Sequence, residues 1–149
     1  MSPIVIALAA LVLGLLLGFW IKRTRARHEL ARRTITPEAL HGLLSEDPDL
    51  LLYDLRQPLD LLADSEIIPG AKRIPPKELL ENPTLIPREK EAVVYCTCPT
   101  DETSRRIMKL ALDMKYLKIK FLEGGLAAWK AKGYSVLPYE QSFHLDTRN

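Results

Sequence analysis

Residues 3–21 carry no charged side chain: Pro-Ile-Val-Ile-Ala-Leu-Ala-Ala-Leu-Val-Leu-Gly-Leu-Leu-Leu-Gly-Phe-Trp-Ile. Wound as a helix at about 1.5 Å per residue, this stretch is roughly 28 Å long, close to the ~30 Å hydrocarbon core of a bilayer. Trp20 falls where an interfacial aromatic is expected, and a cationic cluster follows at once: Lys22, Arg23, Arg25, Arg27, Arg32 and Arg33 against the single acid Glu29. A cleavable signal peptide has its cations before the apolar run and a small-residue cleavage site after it; here the order is reversed. The reading is a transmembrane helix over 3–21 and a basic juxtamembrane connector over 22–35, helical as it leaves the bilayer. The excess of cations places the C-terminal body in the cytoplasm, with the chain crossing once. A buried core helix is the alternative, and an uncharged run of this length argues against it.

The basic stretch also explains the net charge. It holds six of the chain's 21 lysines and arginines and one of its 19 acids, leaving 15 cations against 18 anions beyond residue 34. A mildly acidic body offers no nucleic-acid surface. The two cysteines, Cys96 and Cys98, stand one residue apart. A disulfide between them closes only a tiny, strained ring, so they do not staple the fold, and reduced thiols are the simpler expectation.

Beyond residue 35 the pattern alternates. Thr36-Pro37-Glu38 is a helix start, with an N-cap hydroxyl, a proline at the first position and an early acid, for a helix to about Ser45. Leu50 to Leu55 is a nearly continuous apolar run that suits a strand buried on both faces. A polar stretch leads to a turn at Pro69-Gly70, a brief strand at 72–74 and a short helix at 76–81. Ala92-Val93-Val94-Tyr95 is a second buried strand. A helix follows from about Asp101 to Met114, apolar at Ile107, Leu110, Ala111 and Met114. A strand over 118–122 ends at Gly124-Gly125, and a last helix over 126–132 stops at Gly133. The tail over 139–149 is polar. Strands alternating with helices imply an α/β domain over 36–138 with a mostly parallel sheet, which gathers ligands at the carboxyl ends of its strands.

Cys96 stands at one such end, between a strand and a helix. The partial positive charge and open N–H groups of a helix start favour a thiolate and can hold an anion. Taken from position alone, a cysteine at a strand end is as well explained as a small buried hydrophobe. Cys98 adds a resolving thiol or a pair of soft metal ligands as alternatives. His28, His41 and His144 are scattered, so no metal site is expected.

Five motifs then point one way. They are Leu52-Tyr53-Asp54-Leu55-Arg56; Ile68-Pro69-Gly70-Ala71 with Ile74-Pro75; Val93-Val94-Tyr95-Cys96; Leu122-Glu123-Gly124-Gly125 with Trp129; and Gly133-Tyr134 with Leu137-Pro138. In order and spacing they resemble a single-domain rhodanese, a thiosulfate sulfurtransferase-like module, from about Thr36 to Leu137. The resemblance implies a central five-stranded parallel sheet with helices on both faces. It also implies sulfane-sulfur transfer: Cys96 takes sulfur from a small donor such as thiosulfate, holds it as a persulfide and passes it to a thiol or protein acceptor, without metal or organic cofactor. Asp54 and Arg56, carried over from their motif, brace the region beside the active loop, either in the chemistry or as a structural ion pair.

That loop comprises Thr97, Cys98, Pro99, Thr100, Asp101, Glu102, Thr103 and Ser104, with Arg105 as a supporting cation. The usual pattern is Cys-x-x-Gly-x-Arg-Ser. Here Pro99 stands at the glycine position and Asp101 at the arginine position, and aligning Ser104 on the family's serine makes the loop about two residues longer. Related phosphatases use His-Cys-x5-Arg; Tyr95 and Glu102 occupy those positions and argue against that activity. Three readings stay open: a sulfurtransferase or persulfide carrier, a silent rhodanese module that binds a partner at the membrane, and a Cys96/Cys98 redox protein. For the anchor, the full chain is expected to resist alkaline carbonate extraction from membranes, while deletion of residues 3–21 releases it to the soluble fraction. An intact chain that washes off would exclude the anchor.

Overall fold

The computed structural model describes residues 3–97, 102–113 and 118–140. The chain divides into two compact units, Met1–Arg33 and Thr34–Asn149. The first is a single helix, α1 (Pro3–Arg32), which runs unbroken from the apolar stretch through the basic one. Its Pro3–Arg25 segment is long and apolar enough to cross a membrane, and none of its most apolar window is buried.

The second unit is built on a sheet of five strands in the order β1-β6-β5-β2-β4, every pairing parallel. These are β1 (Thr34–Ile35), β2 (Leu51–Asp54), β4 (Lys72–Arg73), β5 (Ala92–Tyr95) and β6 (Ile119–Leu122). The helices are α2 (Pro37–Glu46), α3 (Pro58–Ala63), α4 (Pro76–Glu81), α5 (Glu102–Asp113) and α6 (Gly125–Ala131). A small antiparallel ribbon joins β3 (Glu66–Ile67) to β7 (Leu137–Pro138). Local chemistry accounts for the helix starts. Thr36 caps α2 by accepting the Ala39 N–H at 3.3 Å, and Pro37, Pro58 and Pro76 open their helices where a missing N–H costs nothing.

The core lies in two layers, one on each face of the sheet. Ala92 and Val94 of β5 pack with Tyr53, Ile119 and Phe121 under Leu79 of α4 and Ile107 and Ala111 of α5. Val93 and Tyr95 pack on the other face with Leu52 and Leu122 under Leu40 of α2 and Leu126 and Trp129 of α6. All four residues of β5 are within 1% of complete burial, which is why the central strand is an unbroken apolar run.

The sequence reading gave four of the sheet's strands. The fifth, β1, lies inside the stretch read as connector and pairs Thr34 with Phe121 and Ile35 with Leu122. α3 and the β3–β7 ribbon are also additions. Tyr139, read as the start of the tail, packs against the second core layer and donates its backbone N–H to Ser65 O at 2.6 Å. Residues 141–149 and Met114 lie outside the described residues.

The turn into α6 bears directly on Cys96. Gly124 and Gly125 both have positive φ, 67° and 58°. A Cβ built on Gly125 would sit 2.0 Å from Cys96 O, and one on Gly124 would sit 2.5 Å from the Ala128 Cβ. Only glycine accommodates both the backbone angle and the close approach. Gly125→Ala is expected to cost about 1–3 kcal/mol from the backbone conformation alone, with the clash in addition. Urea unfolding measures this, and a variant as stable as the parent contradicts the close packing of α6 on the Cys96 carbonyl.

Candidate active site

Cys96 is the residue after β5, the central strand, and is half-buried. Its surroundings are fixed from three sides. Both core layers clamp β5, the Leu55 N–H donates to Tyr95 O at 2.8 Å and so continues the β2–β5 pairing past the strand ends, and Gly125 abuts the Cys96 carbonyl. α5 begins at Glu102, six residues on. Of the loop residues singled out in the sequence, Thr97 is described and exposed. Cys98, Pro99, Thr100 and Asp101 lie outside the described residues. Glu102, Thr103, Ser104 and Arg105 are described as backbone in the first turn of α5. Among the described residues no group of three His, Cys, Asp or Glu side chains could hold a metal ion.

Asp54 and Arg56 are nearly inaccessible, 0% and 2% exposed. Asp54 ends β2 in register with Tyr95. Its carboxylate accepts Arg56 Nε at 3.0 Å on each oxygen, Arg56 Nη2 at 2.7 Å and the Arg56 backbone N–H at 3.0 Å. The guanidinium also donates to Asp64 O at 2.8 Å and Glu66 O at 2.6 Å. Burial opposes its charge, but the hydrogen bonds and charge of Asp54 more than offset this, so Arg56 is held above its ordinary value. Every oxygen and most donors of the pair are spent within it and on backbone carbonyls. The arrangement is that of a structural brace joining the end of β2 to the α3–β3 connection.

Tyr95 is the member of this network that sequence reasoning missed. Its hydroxyl donates to Asp54 Oδ2 at 3.2 Å and accepts the Ile68 N–H at 3.3 Å. Burial, and then the negative charge of Asp54, push its pKa well above the usual tyrosine value. The residue that delivers Cys96 is thus tied to the Asp54–Arg56 pair and to the Ile68-Pro69-Gly70-Ala71 turn at once. The signal in the sequence was slight: a phenol at the end of an apolar strand needs a polar partner.

The sequence profile of the rhodanese-like domain matches residues 36–132. The chain belongs to the rhodanese-like family. A protein from Allochromatium vinosum named sulfurtransferase is 26% identical over 106 residues, covering 71% of this chain and 95% of that protein. The crystal structure of a rhodanese-related protein from Thermoplasma volcanium shares 27% identity, with a TM-score of 0.56 over 70% of this chain and 97% of that one. A full-length protein from Lactobacillus plantarum has the same fold at 18% identity, with a TM-score of 0.65 over 78% and 97% of the two chains. The rhodanese-like assignment and the five-stranded parallel sheet inferred from the motifs therefore hold.

The Tyr95 network carries a sign that can be tested. Its proton is held more tightly in the folded than in the unfolded chain, so its contribution to stability is complete below about pH 10 and lost as pH rises further. Tyr95→Phe keeps the ring and removes the hydroxyl. It is expected to cost about 1–3 kcal/mol at neutral pH, because the Ile68 N–H is orphaned and Asp54 loses a donor. Its stability should also fall less steeply above about pH 10 than the parent's. Parallel urea unfolding curves across that range, identical for the two proteins, would contradict the network.

Proposed function

We propose that the chain is a membrane-tethered sulfurtransferase in which Cys96 carries sulfane sulfur. One observation carries the reading: a half-buried cysteine follows the central strand of a rhodanese-like sheet, six residues before a helix begins. The family and a relative named sulfurtransferase support it. The apolar α1 and the basic run from Lys22 to Arg33 support an anchor with the domain on the cytoplasmic side.

In the proposed cycle the Cys96 thiolate attacks the outer sulfur of a donor. With thiosulfate, the S–S bond breaks, sulfite leaves with the electron pair, and Cys96 becomes a persulfide anion. A thiolate or other nucleophile then attacks the terminal sulfur, and the Cys96 thiolate departs unchanged. Backbone N–H groups in the first turn of α5 are suited to stabilise both anionic forms. The buried Asp54–Arg56–Tyr95 network keeps the strand end from moving while the thiol reacts. Positioning of this kind, rather than contact with the donor, is the role proposed for those residues.

A second reading rests on a specific observation, the Pro99, Asp101 and Glu102 that stand in a loop where the family pattern has glycine and arginine. On that reading the domain binds a partner at the membrane without turning over. One experiment separates the two. The full chain in detergent micelles is treated separately with thiosulfate, polysulfide and an organic persulfide, and persulfides are mapped by mass spectrometry. The sulfurtransferase reading expects one added sulfur on Cys96, discharged by cyanide as thiocyanate, and none in Cys96→Ser. No adduct from any donor on a folded chain with a titratable thiol leaves the binding module.

A further inference from the structure

Arg73 closes β4, an edge strand of the sheet. The register puts Arg73, Asp54 and Tyr95 in one row across three strands, so Arg73 stands at the carboxyl end of the sheet, about 10 Å from Tyr95. Its state contrasts with that of Arg56. The half-buried guanidinium makes one hydrogen bond, from Nη2 to Arg56 O at 3.3 Å, and among the described residues no carboxylate pairs with it. Its Nε is buried with no acceptor, and no other buried side-chain nitrogen or oxygen among the described residues is left so. The neighbouring carboxylate cannot serve it, since both Asp54 oxygens are taken by Arg56 and Tyr95. A half-buried guanidinium with an unmet donor keeps hydrogen-bonding capacity that the described residues do not use.

Beside Arg73 opens a cleft of about 520 Å³ between β4 and the β3–β7 ribbon. Its volume is that of small-molecule sites, about 300–1,000 Å³. Ile67, Ala71 and Pro138 form an apolar wall with Tyr139, Lys72 and Arg73 supply two cations, and Glu140 is the one acid among the described lining residues.

We propose that this cleft binds a small amphipathic carboxylate, its head group on Arg73 and Lys72 and its apolar body against Ile67, Ala71 and Pro138. The planar guanidinium edge matches a carboxylate, and the apolar wall rewards a hydrocarbon body that an inorganic anion lacks. Glu140 disfavours a multiply charged ligand by repulsion. The site is independent of sulfur transfer at Cys96, so it stands or falls without that reading.

The test uses the full chain, labelled with ¹⁵N, in detergent micelles. The Nε–H signal of Arg73, assigned by its disappearance in Arg73→Lys, is followed during titration with 4-methylpentanoate. The expected result is a saturable shift of that signal. Affinity should fall about tenfold or more in Arg73→Gln, as for the loss of a charge-assisted hydrogen bond. Glu140→Gln should bind the acid more tightly, through loss of repulsion. Lys72→Gln, at an exposed position, should weaken binding and keeps the proposal testable if Arg73→Gln does not fold. Leucine distinguishes a zwitterion: binding it more tightly than 4-methylpentanoate, in a manner lost in Glu140→Gln, places an ammonium group at Glu140 and keeps the carboxylate on Arg73. No saturable shift with either compound overturns the proposal, as does equal binding by Arg73→Gln. Inorganic phosphate binding as well as 4-methylpentanoate also overturns it, because the apolar wall then contributes nothing.

Discussion

An aspartate and an arginine two residues apart, both almost wholly buried, organise the end of the sheet where Cys96 stands. Two charges removed from water are costly, and their attraction repays the cost only when the geometry is good and the remaining donors and lone pairs are satisfied. Here they are. The Asp54 carboxylate takes hydrogen bonds from Arg56 and Tyr95, and Arg56 reaches on to the carbonyls of Asp64 and Glu66. The pair therefore does more than neutralise itself. It fixes the entry to β3, which pairs with β7 and so holds the chain that follows α6. Through Tyr95 it also reaches the strand that delivers Cys96 and the Ile68 N–H in the turn opposite. Removing either charge would leave the other buried and unpaired, and would release these segments together.

What could be read from the sequence follows from range. β2 and β5 are short, largely apolar runs whose burial on both faces shows in composition alone, β6 is marked by the glycine pair that follows it, and α2 announces itself by its cap and its proline. α4 is legible for the same reason, a proline start. β1 is not: two residues, Thr34 and Ile35, become a strand only because β6 offers them a partner far along the chain. α3 escapes notice because Leu59 and Leu62 stay exposed, at 67% and 59%, leaving no buried stripe to give a helical period. The β3–β7 ribbon joins residues about seventy positions apart, and no local pattern encodes such a pairing.

The candidate site divides in the same way. Cys96, Asp54 and Arg56 stand out through motifs, and the hydrogen bonds of Arg56 to the Asp64 and Glu66 carbonyls become visible only in the folded chain. Tyr95 was read as core because its partners lie 41 and 27 residues away. Gly124-Gly125 was visible as a turn, but the demand that Gly125 have no side chain comes from the carbonyl of Cys96, which only the folded chain brings to it. Arg73 carries no motif in the sequence. Its buried Nε without an acceptor, beside a carboxylate that Arg56 and Tyr95 occupy, shows only in the folded chain.

The pairing of Asp54 with Arg56 also bears on the field at the strand ends. Arg56 brings no net charge to the strand ends, because Asp54 neutralises it at contact distance. The other cation of that row, Arg73, is half-buried on an edge strand about 10 Å from Tyr95, a separation of about one Debye length. In the sequence Asp101 precedes α5 and Glu102 opens it, and acids at a helix start are favoured by its partial positive charge. The Asp54–Arg56–Tyr95 network bears on the strand end that carries Cys96, whereas the loop residues that depart from the family pattern stand outside that network in the sequence. The two can vary separately, which is how a loop that departs from the family pattern can sit on a sheet that keeps it.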